Sequence, residues 1–201
     1  MNIVDCRNIE AFENACNLLS KKIVESGERY DLFVPIANGG EYVSDVLFRY
    51  LNQNSPRLIV KRQRRTTKGK QNIPLLRMIV KLLPTAVQDF LRKFEIFVSE
   101  RKFEINRYNI INSPDMMNDL RVEIKYEDLL ISENINKILV IDDCVDSGST
   151  LSDVRKFLYL RYPNATIHNA SLALTHRNPL IFPEYLLFER TIIKCPWSLD
   201  G

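Results

Sequence analysis

Residues 138–151, Ile-Leu-Val-Ile-Asp-Asp-Cys-Val-Asp-Ser-Gly-Ser-Thr-Leu, decide how this chain is read. Four apolar residues, Ile138 to Ile141, make the kind of run that forms a strand buried on both faces. Two adjacent carboxylates, Asp142 and Asp143, are expected to end it. A short loop follows, Asp146-Ser147-Gly148-Ser149-Thr150, and then Leu151, Val154 and Leu158 at helical spacing. Strand, loop and helix N-terminus in this order offer backbone N–H groups, hydroxyls and the positive end of a helix dipole, which together bind phosphate. A carboxylate pair beside such a loop suits a polyol or a divalent cation. A phosphorylated sugar with free hydroxyls carries all of these features. An ordinary strand-to-helix turn with Asp146 or Ser147 as N-cap would account for one acid and one hydroxyl. It leaves the second acid and three further hydroxyl or glycine positions without a role.

The stretch Val140 to Thr150 resembles the signature of type I phosphoribosyltransferases, which bind phosphoribosyl pyrophosphate (PRPP). The resemblance implies that Asp142 and Asp143 engage the ribose 2- and 3-hydroxyls, directly or through Mg²⁺, with both acids as metal ligands. It also implies that Asp146, Ser147, Gly148, Ser149 and Thr150 cradle the 5-phosphate. In purine-salvage relatives the acid matching Asp146 helps manage a proton on the base, so Asp146 is a candidate general base. Asp142, Asp143 and Asp146 are the catalytic candidates. The implied fold is α/β, an open parallel sheet flanked by helices, with a helical insertion and a small C-terminal hood-like element. The implied activity is pentosyl transfer, a glycosyltransferase reaction.

Upstream of the signature, residues 8–26 place Ile9, Phe12, Cys16, Leu19 and Ile23 on one helical face, with Gly27 as a C-cap candidate. Tyr30 to Ile36 reads as a buried strand that runs into Ala37-Asn38-Gly39-Gly40-Glu41, with a helix beyond (Tyr42, Val43, Val46, Leu47). Two glycines let backbone approach an anion closely, and this loop resembles the family's pyrophosphate loop. Asn38, Gly39 and Gly40 are therefore pyrophosphate-binding candidates, although the family often has a basic residue where Asn38 stands. Arg57 to Lys61 is a third strand. Tyr108 to Asn112 and Leu120 to Lys125 are weaker strand candidates. Downstream, a strand is expected over Thr166 to Thr175, and one or two short ones over Glu184 to Lys194. Strands alternating with helices imply a parallel sheet, and ligands of such sheets sit beyond the strand C-termini.

Residues 61–107 form a basic and amphipathic insertion within one domain spanning 1–201. Lys61 to Ile73 holds six cations and no acid. The resemblance places the family's flexible catalytic loop here, closing over pyrophosphate and offsetting its charge, with Arg62, Arg64 and Lys68 as candidates. A solvated basic loop is the plainer reading. Leu75 to Leu83 is nearly all apolar. Val87, Phe90, Leu91, Phe94, Phe97 and Val98 keep helical spacing opposite Gln88, Asp89, Arg92 and Lys93. Packing on the core or on a partner subunit, a homodimer included, is one reading of 75–98. Peripheral contact with a membrane, through an apolar face rimmed by cations, is the other. Small nucleobase-salvage members of the family do not usually carry this much material here.

The acceptor side is less legible. Purine-salvage relatives often supply a lysine from the strand after the motif helix. Here that strand ends Leu174-Thr175-His176-Arg177, without one. The ending Cys195-Pro196-Trp197 resembles that of hypoxanthine/guanine/xanthine enzymes. Trp197 and His176 are the acceptor-binding candidates. Three readings stand. A PRPP-dependent transferase acting on a sugar hydroxyl of a lipid-linked bacterial glycan comes first. A nucleobase-salvage phosphoribosyltransferase and a non-catalytic PRPP-sensing regulator are the others.

Composition bounds these readings. A chain of 201 residues that is 45% apolar can bury a core. A net charge of +3 carries no nucleic-acid signature, and no nucleic-acid partner is expected. No run of apolar residues is long enough to span a membrane. The N-terminus has no basic segment followed by an apolar core, so no signal peptide is expected. Cys6, Cys16, Cys144 and Cys195 are too widely spaced for a zinc site or a disulfide framework. A cytoplasmic protein is expected, with peripheral contact on the inner membrane face under the first reading.

Overall fold

A computed structural model describes residues 1–51, 55–62, 83–112, 122–129, 131 and 134–197. In chain order the described elements are β1 (Asn2–Asp5), α1 (Ile9–Glu25), β2 (Leu32–Pro35), α2 (Gly39–Leu51), β3 (Leu58–Arg62), α3 (Thr85–Asn112), β4 (Val122–Glu127), β5 (Lys137–Val145), α4 (Ser149–Arg161), β6 (Thr166–Leu174), β7 (Tyr185–Glu189) and β8 (Thr191–Lys194). Strands β2, β5, β6 and β7 form a parallel sheet in that order. Parallel bridges Phe33–Arg57 and Ile36–Val60 bring β3 alongside β2, and β4 pairs antiparallel to β3. Strands β1 and β8 pair in parallel as a separate two-stranded hood.

The apolar run of β5 is buried on both faces, as its sequence requires. Leu139 and Ile141 point into one core with Phe33 of β2 and with α1 and α2. Ile138 and Val140 point into the other with Leu32 and Val34 and with Val154 and Leu158 of α4. Alternation along each strand thus feeds two cores from one run, and the layers are helix, sheet, helix. Helix α1 begins at Asn8, whose side chain accepts from the Glu10 N–H at 2.9 Å. It ends at Gly27, whose positive φ and bond to the Val24 carbonyl stop the helix.

Three sequence expectations differ from the fold. Strand β5 does not stop at Asp142. It runs to Val145, because β6 continues beside it and pairs with Cys144 and Val145. Tyr108 to Asn112 is not a strand but the last turns of α3. β-Propensity there is overridden by a helix already anchored through Glu100, Phe103 and Arg107. Asn2–Asp5 escaped notice, since four residues carry little pattern. The expectations for 63–82, including the apolar stretch from Leu75 and the basic residues Arg64 and Lys68, lie outside the described residues.

The order of strands places the site. From β2 the chain moves outward to β3, and from β5 it moves the opposite way to β6 and β7. Strand order therefore reverses between the adjacent strands β2 and β5. Loops leaving their C-terminal ends diverge there and leave a crevice.

Candidate active site

The crevice is a cleft of about 430 Å³ whose walls are the loop after β2, the loop after β5 and Trp197. The two loops meet closely. A Cβ on Gly39 would lie 2.2 Å from the Asp143 carboxyl carbon, and one on Gly40 would lie 2.3 Å from the Ile141 carbonyl. Glycine is required at both positions by this approach of backbone to strand end. The Ala37–Asn38 peptide is cis, and the Ala37 N–H donates to the Val60 carbonyl at 2.8 Å.

Asp142 and Asp143 stand at the cleft floor. The Asp143 N–H donates to Asp142 Oδ1 at 3.0 Å, and the Cys144 N–H donates to Asp143 Oδ1 at 2.9 Å. Asp142 is 9% exposed. Burial and then the neighbouring Asp143 charge push its carboxyl well above the usual carboxylate range. Burial raises Asp143 as well, opposed by hydrogen bonds that include one from the Trp197 indole. Two desolvated, mutually repelling carboxylates gain when a cation or a pair of hydroxyl donors arrives. Cys144 lies between the acids and the loop. Burial pushes its thiol upward, so it stays protonated and fills space.

Loop 146–150 forms the far wall. Gly148 holds the N-cap position of α4 at φ +73°, a left-handed conformation suited to glycine. A Cβ there would also press on the Ile181 backbone N at 2.8 Å. Lacking a side chain, Gly148 provides no capping oxygen to the first turn of α4, whose Ser149 N–H meets the Ser147 hydroxyl at 3.4 Å. The Ser147 and Ser149 hydroxyls lie 2.7 Å apart, and Leu180 N–H donates to the Ser147 carbonyl. Asp146 Oδ1 accepts from the Thr175 hydroxyl at 2.6 Å.

Asn38, Gly39, Arg62, Asp142, Asp143 and Asp146 all border this one cleft, as do 147–150 and Trp197. Gly40 sits just behind the wall. Arg62 reaches the cleft while its guanidinium is paired with Asp153 of α4 at 2.6 Å, both side chains about a quarter exposed. His176 is not among the cleft-lining residues. It is 1% exposed, packed 5.7 Å from the Phe103 ring of α3, and neither ring nitrogen has a hydrogen-bond partner. Burial pushes its imidazole below the usual value, so it is neutral at pH 7. Trp197 stacks on Tyr42 at 4.5 Å and meets Phe12 edge-on at 5.0 Å.

Two features escaped sequence reasoning. Tyr42, an exposed position of α2, is the platform beneath Trp197. Thr175 is the hydrogen-bond donor that orients Asp146. The absence of a lysine from the strand that ends at Thr175 gave no pointer to this contact. Nothing in the spacing of Tyr42 reveals its contact.

Comparison with known proteins gives a consistent picture. Residues 5–185 match the family model described as "Phosphoribosyl transferase domain". No curated protein matches the chain. Among solved structures, a purine phosphoribosyltransferase from Pyrococcus horikoshii OT3 superposes with TM-score 0.57 at 17% identity, covering 98% of this chain and 95% of that one. A xanthine-guanine-hypoxanthine phosphoribosyltransferase from Helicobacter pylori gives 0.58 at 16%, covering 98% and 93%. A hypothetical protein from Neisseria gonorrhoeae with bound ppGpp gives 0.53 at 15%, covering 98% and 90%. At these identities the likeness is one of fold.

Proposed function

The chain belongs to the phosphoribosyl transferase family, and on that premise we propose that it transfers the 5-phosphoribosyl group of PRPP to a nucleobase of the hypoxanthine, guanine or xanthine kind. One observation carries this reading. The acid pair, the phosphate loop and an aromatic ring bound a single cleft at the sheet's switch point. The 5-phosphate takes the N–H groups and hydroxyls of 147–150 at the start of α4. The ribose diol lies against Asp142 and Asp143. The pyrophosphate lies along Asn38 and Gly39, with the base against Trp197.

In the reaction the bond from ribose C1 to the pyrophosphate oxygen breaks, and the electron pair leaves with pyrophosphate. A bond from C1 to a ring nitrogen forms. The nitrogen's proton passes to Asp146, which the Thr175 hydroxyl holds at the cleft edge. The donors present fit Mg²⁺, a hard cation that is bound through one or two carboxylates together with substrate oxygens. Asp142 and Asp143 would hold it, and when bound it would offset the charge on the leaving pyrophosphate.

The purine phosphoribosyltransferases among the structural neighbours favour a base over other acceptors. The test is direct. The protein is incubated with PRPP, Mg²⁺ and hypoxanthine, guanine, xanthine or adenine. Pyrophosphate release and nucleotide formation are followed by chromatography. Nucleotide formed from at least one 6-oxopurine is expected; none from any base overturns the acceptor.

A sugar hydroxyl of a lipid-linked glycan is a second reading, favoured by α3. Phe90, Phe94 and Phe97 lie exposed on that helix, rimmed by Arg92, Lys93 and Lys102. Such a face suits a peripheral membrane enzyme built on the 61–107 insertion. Co-sedimentation with phosphatidylglycerol vesicles should be lost in Phe90→Asp/Phe94→Asp. Equal binding of both proteins removes this reading.

A further inference from the structure

Helix α3 reaches the Asp146 side of the cleft through a continuous chain of hydrogen bonds. Glu100, 8% exposed at its side chain, accepts on Oε1 from the Arg177 N–H at 2.5 Å and from Arg190 Nη1 at 2.6 Å. Arg190 Nη1 also donates to the Thr175 carbonyl at 2.5 Å. The Thr175 N–H is bound to the Val145 carbonyl, and its hydroxyl donates to Asp146 Oδ1. Phe103, one turn along α3, closes over His176, and Arg107 donates to the Asn178 carbonyl at 3.2 Å. Loop 175–178 is therefore gripped by α3 on its outer side and presents one hydroxyl to Asp146 on its inner side.

Arg190 is the joint of this chain. It occupies the corner between β7 and β8 at φ 52°, a left-handed conformation that favours glycine. Its guanidinium contacts tie the hood to the post-β6 loop. Nearby, Lys194 of β8 is paired with Asp89 of α3 at 2.5 Å. Helix α3 thus bridges the hood and the loop, the two parts that flank the acceptor side.

We propose that Glu100, Arg190 and Thr175 are positioning residues, through which α3 fixes the carboxylate of Asp146 for the acceptor's proton. The inference rests on the phosphoribosyl-transfer reading above. A hydroxyl bound to one carboxylate oxygen fixes the rotamer and leaves the other oxygen for the proton. Glu100 keeps the Arg190 charge satisfied, and Arg190 in turn keeps the Thr175 backbone where its hydroxyl can reach.

The test measures pyrophosphate release from PRPP, with the best acceptor base and with water alone, in wild type and four variants. Glu100→Gln keeps the volume and an acceptor oxygen but loses the charge. Thr175→Val removes the hydroxyl, and Thr175→Ser restores it. The fourth variant combines Glu100→Gln with Thr175→Val. Expected is a fall in kcat of about tenfold in Glu100→Gln and in Thr175→Val, short of the roughly 10²-fold that a full 1 Å misplacement can cost. KM for PRPP should change less than about twofold, since the phosphate and diol contacts are untouched. Thr175→Ser should recover wild-type kcat, and the combined variant should lose no more than the worse single one. Far-UV circular dichroism and melting curves confirm folding. Unchanged kcat in both folded single variants, or failure of serine to restore it, overturns the positioning role while transfer itself stands. A wild type that releases no pyrophosphate with any base or with water overturns the transfer reading, and the positioning role with it.

Discussion

Gly39 shows how much of the site hangs on one missing side chain. A methyl group there would overlap the Asp143 carboxyl group, one of the two acids at the cleft floor. Gly39→Ala should weaken PRPP binding by about tenfold or more while shifting stability by only about 1 kcal/mol, because Asp143 can swing aside at the expense of its contact. Calorimetric titration with PRPP and Mg²⁺, beside a melting curve, checks both halves. The acid pair makes an opposite trade. The carboxyl of Asp142 is raised by burial and by Asp143. Above the ordinary carboxylate range, the folded chain retains a proton that the unfolded chain has lost. Stability therefore falls as pH rises through that window. Asp142→Asn should flatten this dependence and melt about 2–4 °C above wild type at pH 7 without ligand, yet fail to bind PRPP. Melts from pH 5 to 8 measure it. A variant that is less stable at every pH would contradict the electrostatic account. The twin acids and the loop glycine are readable in sequence because they are contiguous. The Thr175 hydroxyl on Asp146 and the Tyr42 ring under Trp197 are not, since each contact joins residues that only folding brings together.

Helix α3 is the element least foreseen. Its 28 residues span about 42 Å at 1.5 Å per residue. One side holds Asp89, Glu100, Phe103 and Arg107, which contact the hood and the post-β6 loop. Phe90, Phe94 and Phe97 project outward. Helical spacing in the sequence reveals an amphipathic element over 87–98, but the longer aromatic stripe there is the solvent face. Pattern alone reads such a stripe as the buried one, and here the charged residues Asp89 and Glu100 make the body contacts. The difference predicts an asymmetric response. Phe103→Ala, at a site 8% exposed, should cost about 2–4 kcal/mol. Phe90→Ser should stay within about 0.5 kcal/mol of wild type. Urea unfolding of the two variants distinguishes them, and equal losses would mean that the stripe is covered by something the body provides.

At the scale of the whole molecule, binding and folding are one equilibrium. A ligand present at about 100 times its Kd adds about 2.7 kcal/mol to the folded state, or roughly 5–10 °C in Tm for a chain of this size. PRPP with Mg²⁺ should raise Tm by that amount in wild type and leave Asp142→Asn/Asp143→Asn unmoved. A shift of similar size in the double variant would place the binding site elsewhere. The sequence by itself determined the parallel α/β class, the two-sided burial of β5 and the cluster of acids, hydroxyls and glycine over 142–150. Each rests on residues adjacent in the chain, whose pattern carries the physics locally. Tertiary structure decided which strands neighbour one another, that β2 and β5 form the switch point, that Trp197 beyond β8 borders the cleft, and that α3 grips the loop behind Asp146. Those facts depend on which buried surfaces find each other across the fold, and a pattern of near neighbours along the chain does not encode that pairing.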